Sequence, residues 1–148
     1  MGKLTGIAIK KFSRAPMIIL DSVEVSLDSG VSGDHRGKPG KRQVTVLGRE
    51  AWEATCLELG KSLPWTTRRA NLFIEGVSLR ESKGKYLKIG DLCLEITGET
   101  KPCQRMDQFY FGLQEKLRAS WRGGVTCRVI RPGTIYLENE VNLTDDRD

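Results

Sequence analysis

The feature that most limits how this chain can fold is an alternation of apolar and polar residues, repeated in short runs along most of its length. A period of two places successive side chains on opposite faces of an extended strand. Ile7 and Ile9 alternate in a first run, Val23, Val25 and Leu27 in a second, and Val44 and Val46 in a third. Ala70, Leu72 and Ile74 follow, then Leu87 and Ile89, Leu92, Leu94 and Ile96, Val125, Cys127 and Val129, and finally Ile135 and Leu137 with Val141. Gly, Pro, Asp and Ser separate the runs, so eight or nine strands are expected. Only two segments repeat at helical spacing. In Glu50–Leu59 the apolar stripe is Ala51, Trp52, Thr55, Cys56 and Leu59, stopped by Gly60. In Gln104–Trp121 it is Met106, Phe109, Tyr110, Leu113, Leu117 and Trp121, with Gly112 inside. A mid-helix glycine costs about 1 kcal/mol against alanine, which leaves open a kink or a split there. A parallel α/β sheet needs a helix between most strands, so the pattern favours a mainly β (α+β) fold, a closed or nearly closed β-barrel with two principal helices.

With 148 residues, 39% of them hydrophobic, the chain can build one core but hardly two. A single domain is expected over residues 1–143, with a flexible tail at 144–148. The longest apolar run, Ala15–Leu20, is far too short to span a bilayer, and the N-terminus lacks the apolar centre of a signal peptide. No membrane association and a cytoplasmic location are therefore expected, with cysteines kept as free thiols. Cys56, Cys93, Cys103 and Cys127 form no C-x-x-C pair, and spacings of 37, 10 and 24 suit no zinc ribbon or finger.

The net charge of +5 is modest, but more than half of it sits in one loop. Between Gly33 and Arg42, the cations Arg36, Lys38, Lys41 and Arg42 face only Asp34. Glycines let backbone N–H groups approach an anion and arginine can hold phosphate through two bonds, although composition alone equally describes a solvated connection. The loop matches neither a P-loop nor a dinucleotide-binding fingerprint. His35 is the only histidine, which excludes a multi-histidine metal site. Arg68-Arg69-Ala70-Asn71 and Trp121-Arg122-Gly123-Gly124 are two further places suited to a phosphate or a heterocycle. Cys103 precedes the second predicted helix, between Lys101 and Arg105. A helix start and two flanking cations favour a reactive thiolate, while the plain alternative is a cysteine buried at a turn. Cys127 and Cys56 lie on apolar faces and read as packing residues, and Cys93 reads as structural.

Five segments in this order carry a resemblance: G-D-H-R-G with R-Q-V-T-V-L (33–37, 42–47), R-R-A-N-L-F-I-E-G-V (68–77), L-K-I-G-D-L-C-L-E-I-T-G (87–98), K-P-C-Q-R-M-D (101–107) and R-G-G-V-T-C-R-V-I (122–130). Together they resemble a MOSC domain, the module named after the C-terminal domain of molybdenum cofactor sulfurases. The resemblance implies a β-barrel like that of a pyruvate kinase domain, and a stand-alone protein of the bacterial type. It implies that Cys103 ligates molybdenum or carries a persulfide. It further implies that Asp34, His35, Arg36, Arg69 and Asn71 line a pterin-phosphate pocket, with Thr100 in the cysteine loop and Arg122 a weaker match. Where the family usually has Gly-Asp before its last strand, this chain has Glu138-Asn139, so that turn is expected to be rebuilt.

The function expected from this resemblance is binding of the molybdenum cofactor (molybdopterin) through Cys103 and reduction of a small N-hydroxylated substrate, served by an electron-transfer partner. A rival reading keeps Cys103 and drops the metal, making the protein a persulfide carrier loaded by a cysteine desulfurase. A third, a nucleic-acid-binding module, is disfavoured because the basic loop has no aromatic residues interleaved to stack bases.

Overall fold

The computed structural model describes residues 1–148. Its strands are β1 (Gly2–Ile9), β2 (Ile18–Leu20), β3 (Ser22–Ser26), β4 (Gly30–Val31), β5 (Val44–Gly48), β6 (Leu72–Glu75), β7 (Tyr86–Ile89), β8 (Leu92–Glu99), β9 (Val125–Arg131), β10 (Gly133–Tyr136) and β11 (Glu140–Thr144). The helices are α1 (Arg49–Leu59), α2 (Met106–Phe109) and α3 (Leu113–Leu117), with 3-10 turns at Trp65–Arg68 and Ala119–Trp121. No helix is long and apolar enough to cross a membrane.

Seven strands close a barrel in the order β11, β7, β8, β9, β5, β6, β1, with β1 pairing back to β11 through Gly2 opposite Val141 and Lys3 opposite Glu140. The far half of the same β1 edge pairs with β2. Strands β10, β3 and β4 form a separate small sheet. All barrel pairings are antiparallel except β5 with β6. A parallel pair needs a crossover, and α1 supplies it.

The period-two pattern sorts residues between two cores. Val44, Val46, Leu72, Ile74, Leu94, Ile96, Val125 and Cys127 point into the barrel and join a cluster of 21 buried residues. Their neighbours Leu47 and Phe73 point outward, where Trp52 of α1, Met106, Leu113 and Leu117 cover them. Trp65 stacks on Phe73 with ring centroids 5.0 Å apart. At about 1.5–3 kcal/mol for each fully buried aliphatic or aromatic side chain, these two clusters supply most of the cohesion.

The expected helix at Glu50–Leu59 forms, beginning one residue earlier, and Gly60 stops it in the left-handed conformation. The helical segment expected over Gln104–Trp121 is divided, as the glycine at 112 left open. Tyr110 is extended and Gly112 has φ 92°, so the segment divides into α2, α3 and the second 3-10 turn. The break carries its own compensation: the Asp107 carboxylate accepts the Gln114 N–H in the first turn of α3. Strands β2 and β4, three and two residues long, were not expected, because neither is long enough to display an alternation. β11 reaches Thr144, one residue into the expected tail. The rebuilt turn before β11 is real: Glu138 takes φ 78°, and the Asn139 side chain accepts the Tyr136 N–H.

One buried amide ties the basic loop to the barrel. Gln43, 2% exposed, donates to the carbonyls of Leu27 and Gly37 at 2.8 and 3.1 Å and accepts the Val129 N–H at 2.9 Å. Gln43→Leu would leave one buried donor and two carbonyls without that partner. The expected loss is about 2–4 kcal/mol, read as a lowered urea midpoint at unchanged slope.

A cationic pocket among the barrel connections

The connections that follow β1 and β8 and those that lead into β6 and β9 converge beside the start of β5. They enclose a pocket of about 140 Å³. Lys10 follows β1, Asp34, Arg36 and Arg42 come from the glycine-rich loop, Arg68, Arg69 and Asn71 precede β6, and Thr100, Cys103 and Arg105 follow β8. Six cationic side chains thus surround a single carboxylate. None of the six takes part in the ion pairs of the protein, which all lie elsewhere on the surface.

Several of these residues hold the wall in place. The Asp34 carboxylate accepts the backbone N–H groups of Lys10 and Arg36, at 3.0 and 3.2 Å, fixing the loop against the end of β1. Asn71 is a brace: its oxygen accepts the Thr45 N–H and hydroxyl, and its NH₂ donates to the Ala8 carbonyl. Arg68 is buried and donates to the Gly123 and Thr100 carbonyls at 3.1 and 3.0 Å, with the Met106 sulfur as a third contact. Burial pulls its guanidinium below the ordinary arginine range, and the nearby Cys103 opposes that shift. A Cβ at position 123 would lie 2.4 Å from the Thr100 carbonyl, so only glycine lets the two loops meet around Arg68.

Other groups of the wall are left unsatisfied. Three buried side-chain polar atoms have no hydrogen-bond partner in the protein: Arg69 Nε, Thr100 Oγ1 and Arg105 Nε. All three belong to residues of this one pocket wall. Arg69 sits at φ 65° and donates through its other nitrogen to the Ala15 carbonyl. Burial lowers its pKa, and Arg105 adds to the effect. Lys10, half-buried, is lowered first by burial and then by Arg69 and Arg36, against the opposing pull of Asp34. Unpaired donors and mutually repelling cations on one concave wall have the chemistry to hold an anion.

Of the residues nominated from sequence, Asp34, Arg36, Arg69, Asn71, Thr100 and Cys103 are brought together here. His35 and Arg122 are not. His35 is exposed, and its backbone N–H donates to the Lys10 carbonyl. Arg122 turns away to pair with Glu58 and to donate to the Lys116 carbonyl. Lys10, Arg42, Arg68 and Arg105 complete the wall without having been nominated. A lone lysine at a strand end carries no motif, whereas Arg68 and Arg105 stood beside nominated residues and could have been found there.

Cys103 is exposed at the pocket edge, Cys56 is half-buried on α1, and Cys93 and Cys127 are buried. The expectation that a long helix start activates Cys103 is not met, since α2 has four residues and begins at Met106. What distinguishes Cys103 is access. Burial pushes the thiols of Cys93 and Cys127 up, against reactivity.

A sequence model of the MOSC domain matches residues 32–142, three quarters of the chain. The chain belongs to the MOSC domain family. Solved structures agree on the fold. The YuaD protein of Bacillus subtilis superposes with a TM-score of 0.76 at 20% identity, covering 97% of this chain and 96% of its own. YiiM from Escherichia coli gives 0.73 at 14% identity, covering 97% and 70%, and YiiM from Geobacillus stearothermophilus 0.76 at 13%, covering 97% and 75%. No curated protein matches the sequence. The pocket of this MOSC protein lies within the matched region except for Lys10.

Two outcomes follow from the geometry. Limited alkylation with peptide mapping should label Cys103 first, Cys56 more slowly, and Cys93 and Cys127 only on unfolding. Lys10→Met should raise the melting temperature at pH 7 by on the order of 2 °C, since the repulsion it removes is screened at a half-exposed lysine. A base whose pKa is lowered by folding destabilises the native state while it is charged. The gain should therefore shrink as pH rises toward the ordinary lysine value of 10.5.

Proposed function

We propose that this MOSC protein binds the molybdenum cofactor in the cationic pocket, with Cys103 as the protein ligand of the metal, and uses it to reduce N-hydroxylated compounds. The observation that carries the reading is the coincidence of all three unpartnered buried polar atoms, Arg69 Nε, Thr100 Oγ1 and Arg105 Nε, with one cationic wall that has an exposed thiol at its edge. A phosphorylated pterin fits that donor set. Phosphate oxygens would accept from the two guanidinium N–H groups and the hydroxyl, and such charge-assisted bonds are about twice as strong as neutral ones. No three His, Cys, Asp or Glu side chains converge as a metal site, so the chain offers one thiolate. A metal held by one protein ligand needs a carrier of its own, which the pterin is.

When bound, the cofactor supplies two-electron redox and oxygen-transfer chemistry. The chain's own residues bind and orient. Arg69, Arg105, Arg42, Arg36 and Lys10 hold negative charge. Arg68, by fixing the carbonyls of Thr100 and Gly123, sets the loop from which Cys103 projects. Asp34 keeps the facing loop at its distance.

The exposure of Cys103 supports one second reading, persulfide carriage. In that chemistry the Cys103 thiolate attacks the terminal sulfur of a desulfurase persulfide, the S–S bond breaks, and the donor cysteine leaves as thiolate. Native purification from a molybdenum-replete host separates the two. Stoichiometric molybdenum that is lost in Cys103→Ser, and loosened by salt or by Arg69→Ala, is expected for the cofactor reading. Metal-free protein that gains one sulfur atom in intact mass when incubated with a desulfurase and cysteine would replace it with the carrier.

A further inference from the structure

Strand β2 ends the large sheet: it pairs with β1 on one side and with no strand on the other. It belongs to Ala15–Leu20, the longest apolar run of the chain, yet Ile19 is 64% exposed and Ile18 37%. The ladder fixes which way this edge points. Ala8 donates its N–H to the Asn71 carbonyl, on the β6 side, so Ala8 and Ile19 form a non-hydrogen-bonded pair. The N–H and C=O of Ile19 therefore point away from β1, where no other strand takes them up. Sheet edges are commonly blunted by a charge, and β2 carries none. The charges stand on either side of it instead. Lys11 and Arg14 precede the strand, Asp21 and Glu24 follow it, all four are exposed, and none takes part in an ion pair.

We propose that β2 pairs with β2 of a second copy of this chain, antiparallel about a two-fold axis at Ile19. Each Ile19 then faces its counterpart and the two exchange both N–H···O bonds, which the outward direction of those groups allows. In this register the cationic flank of each copy meets the anionic flank of the other, and the two-fold axis repeats the match. A parallel pairing would set cation against cation. A foreign strand of one charge would satisfy a single flank and be repelled by the other, whereas a second copy satisfies both. With a net charge of +5 on each copy, such local compensation is what lets them approach. The connection leading into β2 supplies the Ala15 carbonyl to Arg69, so a seated second copy also braces the segment on which Arg69 rests.

Sedimentation velocity from about 1 μM to about 1 mM protein tests the proposal. A contact of this length is smaller than the roughly 1,600 Å² of a standard interface, so a reversible monomer–dimer equilibrium is expected, with a dissociation constant on the order of 10–100 μM that rises with salt. Ile19→Lys, at an exposed side chain, is expected to weaken it by about tenfold or more. Lys11→Glu/Arg14→Glu and Asp21→Lys/Glu24→Lys are each expected to be monomeric alone, and their equimolar mixture to dimerise, because the reversed flanks complement one another only across an antiparallel pair. Wild-type protein that stays monomeric at every concentration overturns the proposal and leaves the edge to a strand of a different chain. A dimer indifferent to Ile19→Lys and to the flank variants lies on another face and overturns it as well. A mixture that stays monomeric rules out the antiparallel register, and should Ile19→Lys fail to fold, the mixture decides alone.

Discussion

A seven-stranded barrel exists only if its first and last strands meet, and here that contact is short. Gly2 and Lys3 pair with Val141 and Glu140, while Leu4 and the turn at Glu138–Asn139 exchange two further backbone bonds. Without this closure the first residues of β1 and one side of β11 would become sheet edges, while the second half of β1, leading to Lys10, is covered by β2 and β6. The closing turn is kept even though Glu138 must adopt a conformation that suits glycine, which shows how strongly the surrounding pairing determines it.

Closure also explains how repelling charges can be crowded together. Six cations around one carboxylate oppose folding, and the energy that holds them comes from elsewhere: the barrel interior and the apolar layer between β5, β6 and the helices. Neutral groups do the positioning. Arg68 is held by carbonyls, Asn71 bridges β1 and β5, and Gln43 anchors the loop, so Asp34 is the one anionic side chain among the six cations. A bound anion would recover part of the repulsion, which makes occupancy and stability linked quantities.

Much of the barrel was legible because burial of one face of a strand writes itself into sequence as alternation. Val44 and Val46, or Leu92, Leu94 and Ile96, could hardly face two ways. The helical segment was legible only in part. Met106, Leu113 and Leu117 do share a buried face, but the stripe does not reveal that Tyr110 is extended or that Asp107 stabilises the break at Gly112. The pocket was legible where its residues sit in clusters, as at Arg68–Asn71 and Lys101–Arg105. Lys10 was invisible because its role comes from the end of a strand meeting a loop more than twenty residues later. His35 and Arg122 erred the other way: their types suit an anion, yet His35 lies exposed outside the pocket and Arg122 pairs with Glu58.

The position of Cys103 is the point where these constraints combine. A four-residue helix contributes little dipole, so its surroundings rather than its own element define the thiol. Those surroundings are set by Arg68, which reaches under the loop to the Thr100 carbonyl on one side and the Gly123 carbonyl on the other. Because the glycine at 123 is needed for that approach, the connection into β9 and the connection out of β8 are packed directly against each other. The cysteine is thereby carried by a loop tied to two strands of the barrel, exposed to a partner or substrate yet fixed relative to Arg69 and Arg105. Such a placement suits a thiol that must meet a ligand held by its neighbours, more than one that must reach out to find its ligand.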